Sequence, residues 1–149
     1  MSSNLDQLYR QVIMDHYKNP RNKGSIEDGA LTIDMNNPTC GDRIHLTIQV
    51  EDGVVQNAKF DGEGCSISMS SASMMTQAIK GKNIDEALKL SQIFSDMMLG
   101  KEYDDSIDLG DIEALNGVSK FPARIKCATL AWRAAGAIIH GEEGESIDE

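Results

Sequence analysis

Positive charge is scarce in this chain. Lys and Arg total 14 against 24 Asp and Glu, a formal net charge of −10 over 149 residues. Such a polyanion repels nucleic acid and anionic membranes unless its few cations cluster, so neither is an expected partner. A basic protein surface is the better electrostatic match. Long apolar runs are missing as well: no stretch approaches the roughly 20 residues that a membrane-spanning helix needs. The opening Met1-Ser2-Ser3-Asn4-Leu5-Asp6 is polar and carries no apolar segment of the secretory type. These absences predict a cytoplasmic protein. Cysteine is sparse: there are three, an odd number that argues against a disulfide framework in a reducing compartment. Repeats and low-complexity tracts are lacking too.

What is present suits one folded domain over 1–149. The hydrophobic share of 40% is ordinary for a globular chain of this length. Leu5, Leu8, Tyr9, Val12, Ile13 and Tyr17 recur at helical spacing, and Asn19-Pro20 ends that run. Residues 22–29 read as a loop. The period then changes to two. Leu31, Ile33 and Met35 alternate with polar residues, as do Ile44, Leu46, Ile48 and Val50. Glu51-Asp52-Gly53 is a turn signal, and Val54 to Phe60 reads as a third strand. Cys65 to Lys80 reads as a helix rich in Ser, Ala and Met, stopped by Gly81. Asn83 with Glu86 resembles a capping box for a helix to about Met98. Lys101 to Gly110 reads as an acidic loop and Asp111 to Asn116 as one short helical turn. Pro122 suits the first turn of a last helix that runs to about His140. Gly141 to Glu149 reads as an acidic, flexible tail. Strands followed by helices predict an α+β fold, a small three-stranded antiparallel sheet with helices packed on one face.

The chemistry lies with the cysteines. Cys40 opens Cys40-Gly41-Asp42 after Asn36-Asn37-Pro38-Thr39, Cys65 follows Gly62-Glu63-Gly64, and Cys127 lies near the start of the last helix. With Asp42 they supply three sulfur ligands and one oxygen, a tetrahedral set for zinc, and the same thiols suit iron or sulfur. Cys65 and Cys127 are expected at or near helix starts, where unpaired N–H groups stabilise negative sulfur. Cys40 is expected in a loop with freedom to move. Gly62 and Gly64 allow tight backbone approach beside Cys65. Against this stands the simpler reading of three ordinary buried thiols, because the long gaps between them form no Cys-x-x-Cys signature.

Other candidates are weaker. His45 falls on the polar face of its strand, His16 beside the apolar stripe of the first helix, and His140 near the end of the last one. Gly62-Glu63-Gly64 lacks the final glycine of a dinucleotide fingerprint, since Ile67 stands there. The serines at 66, 68, 70, 71 and 73 read as small packing residues, and the methionines at 69, 74 and 75 as core. Asp104, Asp105, Asp108 and Asp111 do not match a calcium loop and read as a solvated segment, or a face for a basic partner.

The stretches Leu8 to Tyr17, Asn36 to Asp42, Phe60 to Ser68 and Phe121 to Cys127 resemble the SufU branch of the IscU/NifU N-terminal iron–sulfur assembly family, over nearly the whole chain. The resemblance implies a zinc-bound sulfur acceptor that works with a SufS-type cysteine desulfurase and passes sulfur to downstream iron–sulfur assembly components. It implies Cys40, Asp42, Cys65 and Cys127 as metal ligands. Cys40 would leave the metal on docking and take the sulfur, with a desulfurase histidine replacing it. Arg124, one turn before Cys127, either pairs with Asp42 or a displaced thiolate, or is a solvated helix residue. Two features separate the chain from the scaffold branch: Lys126 stands where scaffolds carry a histidine, and the interval from Cys65 to Cys127 is longer. The alternative implied function is a scaffold that holds iron and sulfide on the same cysteines.

Overall fold

The computed structural model describes residues 2–27, 30–37, 41–103 and 109–142. Helix α1 spans Ser2–Lys18, starting earlier than the apolar spacing indicates. Tyr9, Val12 and Ile13 are half-buried against the core and His16 is fully buried beside them. Leu8 and Tyr17, expected in the same stripe, face solvent at 54% and 42% exposure. At 100° per residue they lie about 90° to either side of the line through Tyr9, Val12, Ile13 and His16.

Strands β1 (Leu31–Asn37), β2 (Asp42–Glu51) and β3 (Val54–Glu63) form an antiparallel meander in the order β1-β2-β3. Asp52 and Gly53 both take positive φ, as a tight hairpin between β2 and β3 requires. The strands outrun their apolar alternation because ladder pairing recruits polar residues: Asn37 pairs with Asp42, and Arg43 with Glu63. Gly62, at φ 131, permits this extension, since a Cβ there would strike the Arg43 carbonyl. The segment after α1 covers the outer edge of β3. Phe60 N–H donates to the Asn22 carbonyl at 3.0 Å and Gly24 N–H to the Phe60 carbonyl at 2.7 Å. That cover protects an edge otherwise open to pairing.

Ile44, Leu46, Ile48, Val55, Ala58 and Phe60 present the buried face of the sheet. Helices α2 (Ser66–Ile79) and α4 (Pro122–Glu142) pack on the sheet, while α3 (Ile84–Met98) packs against α4. The arrangement is α+β, a three-stranded antiparallel sheet with helices. Met69, Met74 and Met75 are core residues, and Ser68, Ser70, Ser71 and Ser73 are buried, so small side chains let α2 approach its neighbours. Ser71 Oγ donates to the Ala128 carbonyl at 2.6 Å and ties α2 to α4. Asn83 caps α3 by accepting from Glu86 N–H at 2.8 Å, as its sequence signature indicates. Phe94 and Trp132 stack with centroids 5.0 Å apart between α3 and α4.

Between α3 and α4 lies a 3-10 helix, Gly110–Lys120, longer than the single turn expected at 111–116. Ile112, Leu115 and Val118 are buried and recur every third residue. That period matches three residues per turn rather than 3.6, and Asn116-Gly117 adds little α-helical preference. Asp111 therefore stands on a 3-10 helix rather than in a loop, with its side chain half exposed at 49%. Its Oδ2 is 2.8 Å from His16 Nε2, and His16 Nδ1 is 2.7 Å from Ser73 Oγ. Asp104, Asp105 and Asp108 lie outside the described residues. Helix α4 continues through Glu142, so Gly141 and Glu142 belong to it and not to the expected tail. Among the described residues no helix is long and apolar enough to cross a membrane.

Candidate metal centre

Strand periodicity points Asp42 inward. It shares phase with Ile44, Leu46 and Ile48 on β2, and it is fully buried at 0% exposure. Cys65 is the N-cap residue of α2, in extended backbone conformation. Its backbone N–H donates to Asp42 Oδ1 at 3.0 Å. Cys127 occupies the sixth position of α4 and is fully buried. One oxygen of Asp42 and the sulfurs of Cys65 and Cys127 all lie within 4.8 Å of one another. Two thiolates bound to one zinc ion at about 2.3 Å stand about 3.8 Å apart in tetrahedral geometry, so a shift of about an ångström suffices to share an ion.

Gly64 makes this convergence possible. A Cβ at this position would sit 2.5 Å from Asp42 Oδ1 and 2.5 Å from Ser68 Oγ. The requirement is one of space, and it realises the close approach expected of Gly62 and Gly64. One expectation about the thiols is corrected. Cys127 lies in the second turn of α4, where backbone N–H groups bond within the helix, so only Cys65 has unpaired helix-end amides beside it.

The chemistry of Asp42 suits a metal. Its Oδ2 is buried and has no hydrogen-bond partner among the described residues. A lone buried carboxylate oxygen is costly, and a cation at that position offsets the cost. Two sulfurs and one oxygen fit a borderline-soft ion such as zinc or iron. Of the other residues singled out from the sequence, Cys40 lies outside the described residues, and Arg124 is exposed on the turn of α4 before Cys127. His45 is partly exposed and bonds Asp34 Oδ1 at 2.8 Å, away from the thiols. The sequence marks Ser68 only as a packing residue. It is buried at 1% exposure, and its Oγ lies 3.8 Å from Cys65 Sγ. Its position three residues after Cys65 was the available signal.

The fold and this cluster define an α+β protein with a mixed cysteine–aspartate group of a kind that can hold a metal ion. The family model described as the NifU-like N terminal domain matches residues 8–128, and the chain belongs to that family. It is 72% identical over 143 residues to a Bacillus subtilis protein named zinc-dependent sulfurtransferase SufU, covering 96% of this chain and 97% of that one. It is 48% identical over 132 residues to the iron–sulfur cluster assembly scaffold protein IscU of Streptococcus pyogenes, covering 89% of this chain and 82% of the relative. The crystal structure of FiSufU from Fervidobacterium islandicum superposes with a TM-score of 0.83 at 34% identity, covering 87% of this chain and 94% of that one.

Proposed function

We propose that this protein is a zinc-dependent sulfur acceptor of iron–sulfur cluster biogenesis, taking persulfide sulfur from a SufS-type cysteine desulfurase in the cytoplasm. The observation that carries the reading is the meeting of Asp42, Cys65 and Cys127, with Asp42 Oδ2 buried and without a partner among the described residues. The name of the Bacillus subtilis relative, at 72% identity over nearly the whole of both chains, supports the same function. Cys40 is the proposed fourth ligand and the acceptor. It stands two residues before Asp42, and two extended residues span at most about 7 Å, so chain connectivity keeps it near the group.

Zinc, when bound, supplies charge stabilisation that holds its thiol ligands as thiolates at neutral pH. The residues divide the remaining work. Asp42, Cys65 and Cys127 would hold the ion from β2, α2 and α4. Cys40, between β1 and β2 in the sequence, attacks the terminal sulfur of the donor persulfide as a thiolate. A new S–S bond forms at Cys40, the donor's S–S bond breaks, and the donor leaves as a thiolate, so no external oxidant or reductant is needed. Arg124, exposed one turn before Cys127, would pair with Asp42 or with the displaced thiolate while Cys40 is away.

A scaffold role is the second reading, favoured by the scaffold name of the 48% identical relative. Mass spectrometry after incubation with desulfurase and cysteine separates the two. A sulfur-sized mass gain on Cys40, lost in Cys40→Ala with the fold retained, is the expected result. Sulfur uptake that persists in Cys40→Ala overturns the proposal. A coloured, reconstituted protein that transfers its cluster to an acceptor supports the scaffold instead.

A further inference from the structure

Buried hydroxyls on α2 differ in what surrounds them. Ser68 and Ser70 are both buried, and each back-bonds to a carbonyl three residues earlier. Ser68 Oγ donates to the Cys65 carbonyl at 3.1 Å and Ser70 Oγ to the Ile67 carbonyl at 3.1 Å. Only Ser68 also lies beside a sulfur, with its Oγ 3.8 Å from Cys65 Sγ. It flanks Gly64 together with Asp42 Oδ1.

The carbonyl that Ser68 serves does not depend on it. Cys65 O already accepts the first intrahelical bond of α2, from Met69 N–H at 3.0 Å. As described, Cys65 S–H donates to Ser68 Oγ while the Ser68 hydroxyl donates onward to Cys65 O. Binding of a metal removes the thiol proton and leaves the sulfur a charged acceptor. Charge-assisted hydrogen bonds are roughly twice as strong as neutral ones. A rotation of the hydroxyl about its Cβ–Oγ bond redirects its proton from the carbonyl to the sulfur, and the carbonyl keeps Met69.

We infer that Ser68 is a positioning residue for the metal: its hydroxyl turns from the Cys65 carbonyl to the Cys65 sulfur when metal binds, orienting that sulfur and holding it on the ion. This rests on the zinc-binding reading above. Outer partners of metal ligands commonly change affinity by about 10- to 100-fold when removed.

The test is zinc affinity of the full chain, measured by competition with a chromophoric chelator, with folding checked by circular dichroism. Zinc binding by the wild-type chain that Cys65→Ala abolishes is expected; wild-type protein that takes up no zinc overturns the parent reading. Given binding, Ser68→Ala is expected to lose about 10-fold or more in affinity, while Ser70→Ala stays within about 2-fold, because it removes the same kind of helix back-bond away from the sulfur. Equal affinities for wild type and Ser68→Ala, or an equal loss in Ser70→Ala, overturn the inference and leave the parent reading intact. Should Ser68→Ala not fold, the near-isosteric pair Ser68→Thr and Ser68→Val replaces it. The threonine variant is then expected to bind at least 10-fold more tightly, and equal binding by the pair overturns the inference.

Discussion

The backbone N–H of Cys65 donates to Asp42 Oδ1 at 3.0 Å, so one carboxylate oxygen holds the start of α2 while the other is left without a described partner. The two oxygens therefore have separate roles. Asparagine keeps an amide oxygen for the Cys65 N–H but removes the buried charge. Asp42→Asn is expected to melt, without metal, no lower than the wild type, since a lone buried charge costs stability. It is also expected to lose most of the rise in melting temperature that zinc gives. Thermal unfolding with and without zinc checks both; a full zinc-induced rise in this variant would show that the carboxylate is not a ligand.

Gly64→Ala tests the space between strand and helix. The added methyl meets Asp42 Oδ1 and Ser68 Oγ, both at 2.5 Å, and both side chains are buried and already bonded. Overpacking of this kind costs about 1–3 kcal/mol. Urea unfolding is expected to show that loss, and chelator competition a weaker zinc site. Unchanged zinc affinity would mean that Asp42 can move aside without leaving the ion.

Metal removal should be visible in stability. A ligand that binds only the folded chain adds about 2.7 kcal/mol at 100 times its Kd. Zinc-loaded protein is expected to lose stability on adding a strong chelator and to regain it when zinc is returned. Cys127→Ala is expected to abolish that difference. A chelator effect of the same size in Cys127→Ala would remove this thiol from the ligand set.

Accessibility ranks the two described thiols. Cys65 is half-buried at a helix end, and Cys127 is fully buried inside α4. In metal-free protein, peptide mapping after brief alkylation is expected to find Cys65 modified well before Cys127. The reverse order would mean that α4 opens more readily than the start of α2.

His16 holds three elements together from α1, through Ser73 on α2 and Asp111 on the 3-10 helix. Replacing it with alanine leaves a cavity and removes one hydrogen bond from Ser73, which keeps the Arg21 N–H, and one from the half-exposed Asp111. Destabilisation of about 2–4 kcal/mol is expected in urea unfolding. Faster hydrogen exchange should appear across Gly110–Lys120, with zinc affinity nearly unchanged, because no candidate ligand sits on those contacts. A large loss of zinc affinity would instead tie the 3-10 helix to the metal group.

Local chemistry was legible wherever it is encoded by neighbours in the chain. The alternation Ile44-Leu46-Ile48, the Asp52-Gly53 turn, the Asn83–Glu86 cap and Pro122 at the start of α4 act within a turn or a strand, and each element forms where its residues indicate. The motifs around Cys65 and Cys127 likewise mark those residues without any coordinates. Boundaries were less legible, because ladder pairing extends β3 through Asp61-Gly62-Glu63, whose composition is that of a turn. The three-residue period of Ile112, Leu115 and Val118 was present in the sequence but short enough to pass for a single turn.

Composition, periodicity and caps thus determined by themselves the type and approximate place of most helices and strands, and which side chains are chemically able to bind a metal. Only the tertiary structure decided that Asp42 reaches the amide of Cys65, that Gly64 leaves room for it, and that Ser68 and not Ser70 lies beside a sulfur. The physical reason is range: propensity and capping act over a few residues, whereas these contacts join β2, α2 and α4, whose relative positions are set by burial of one shared core.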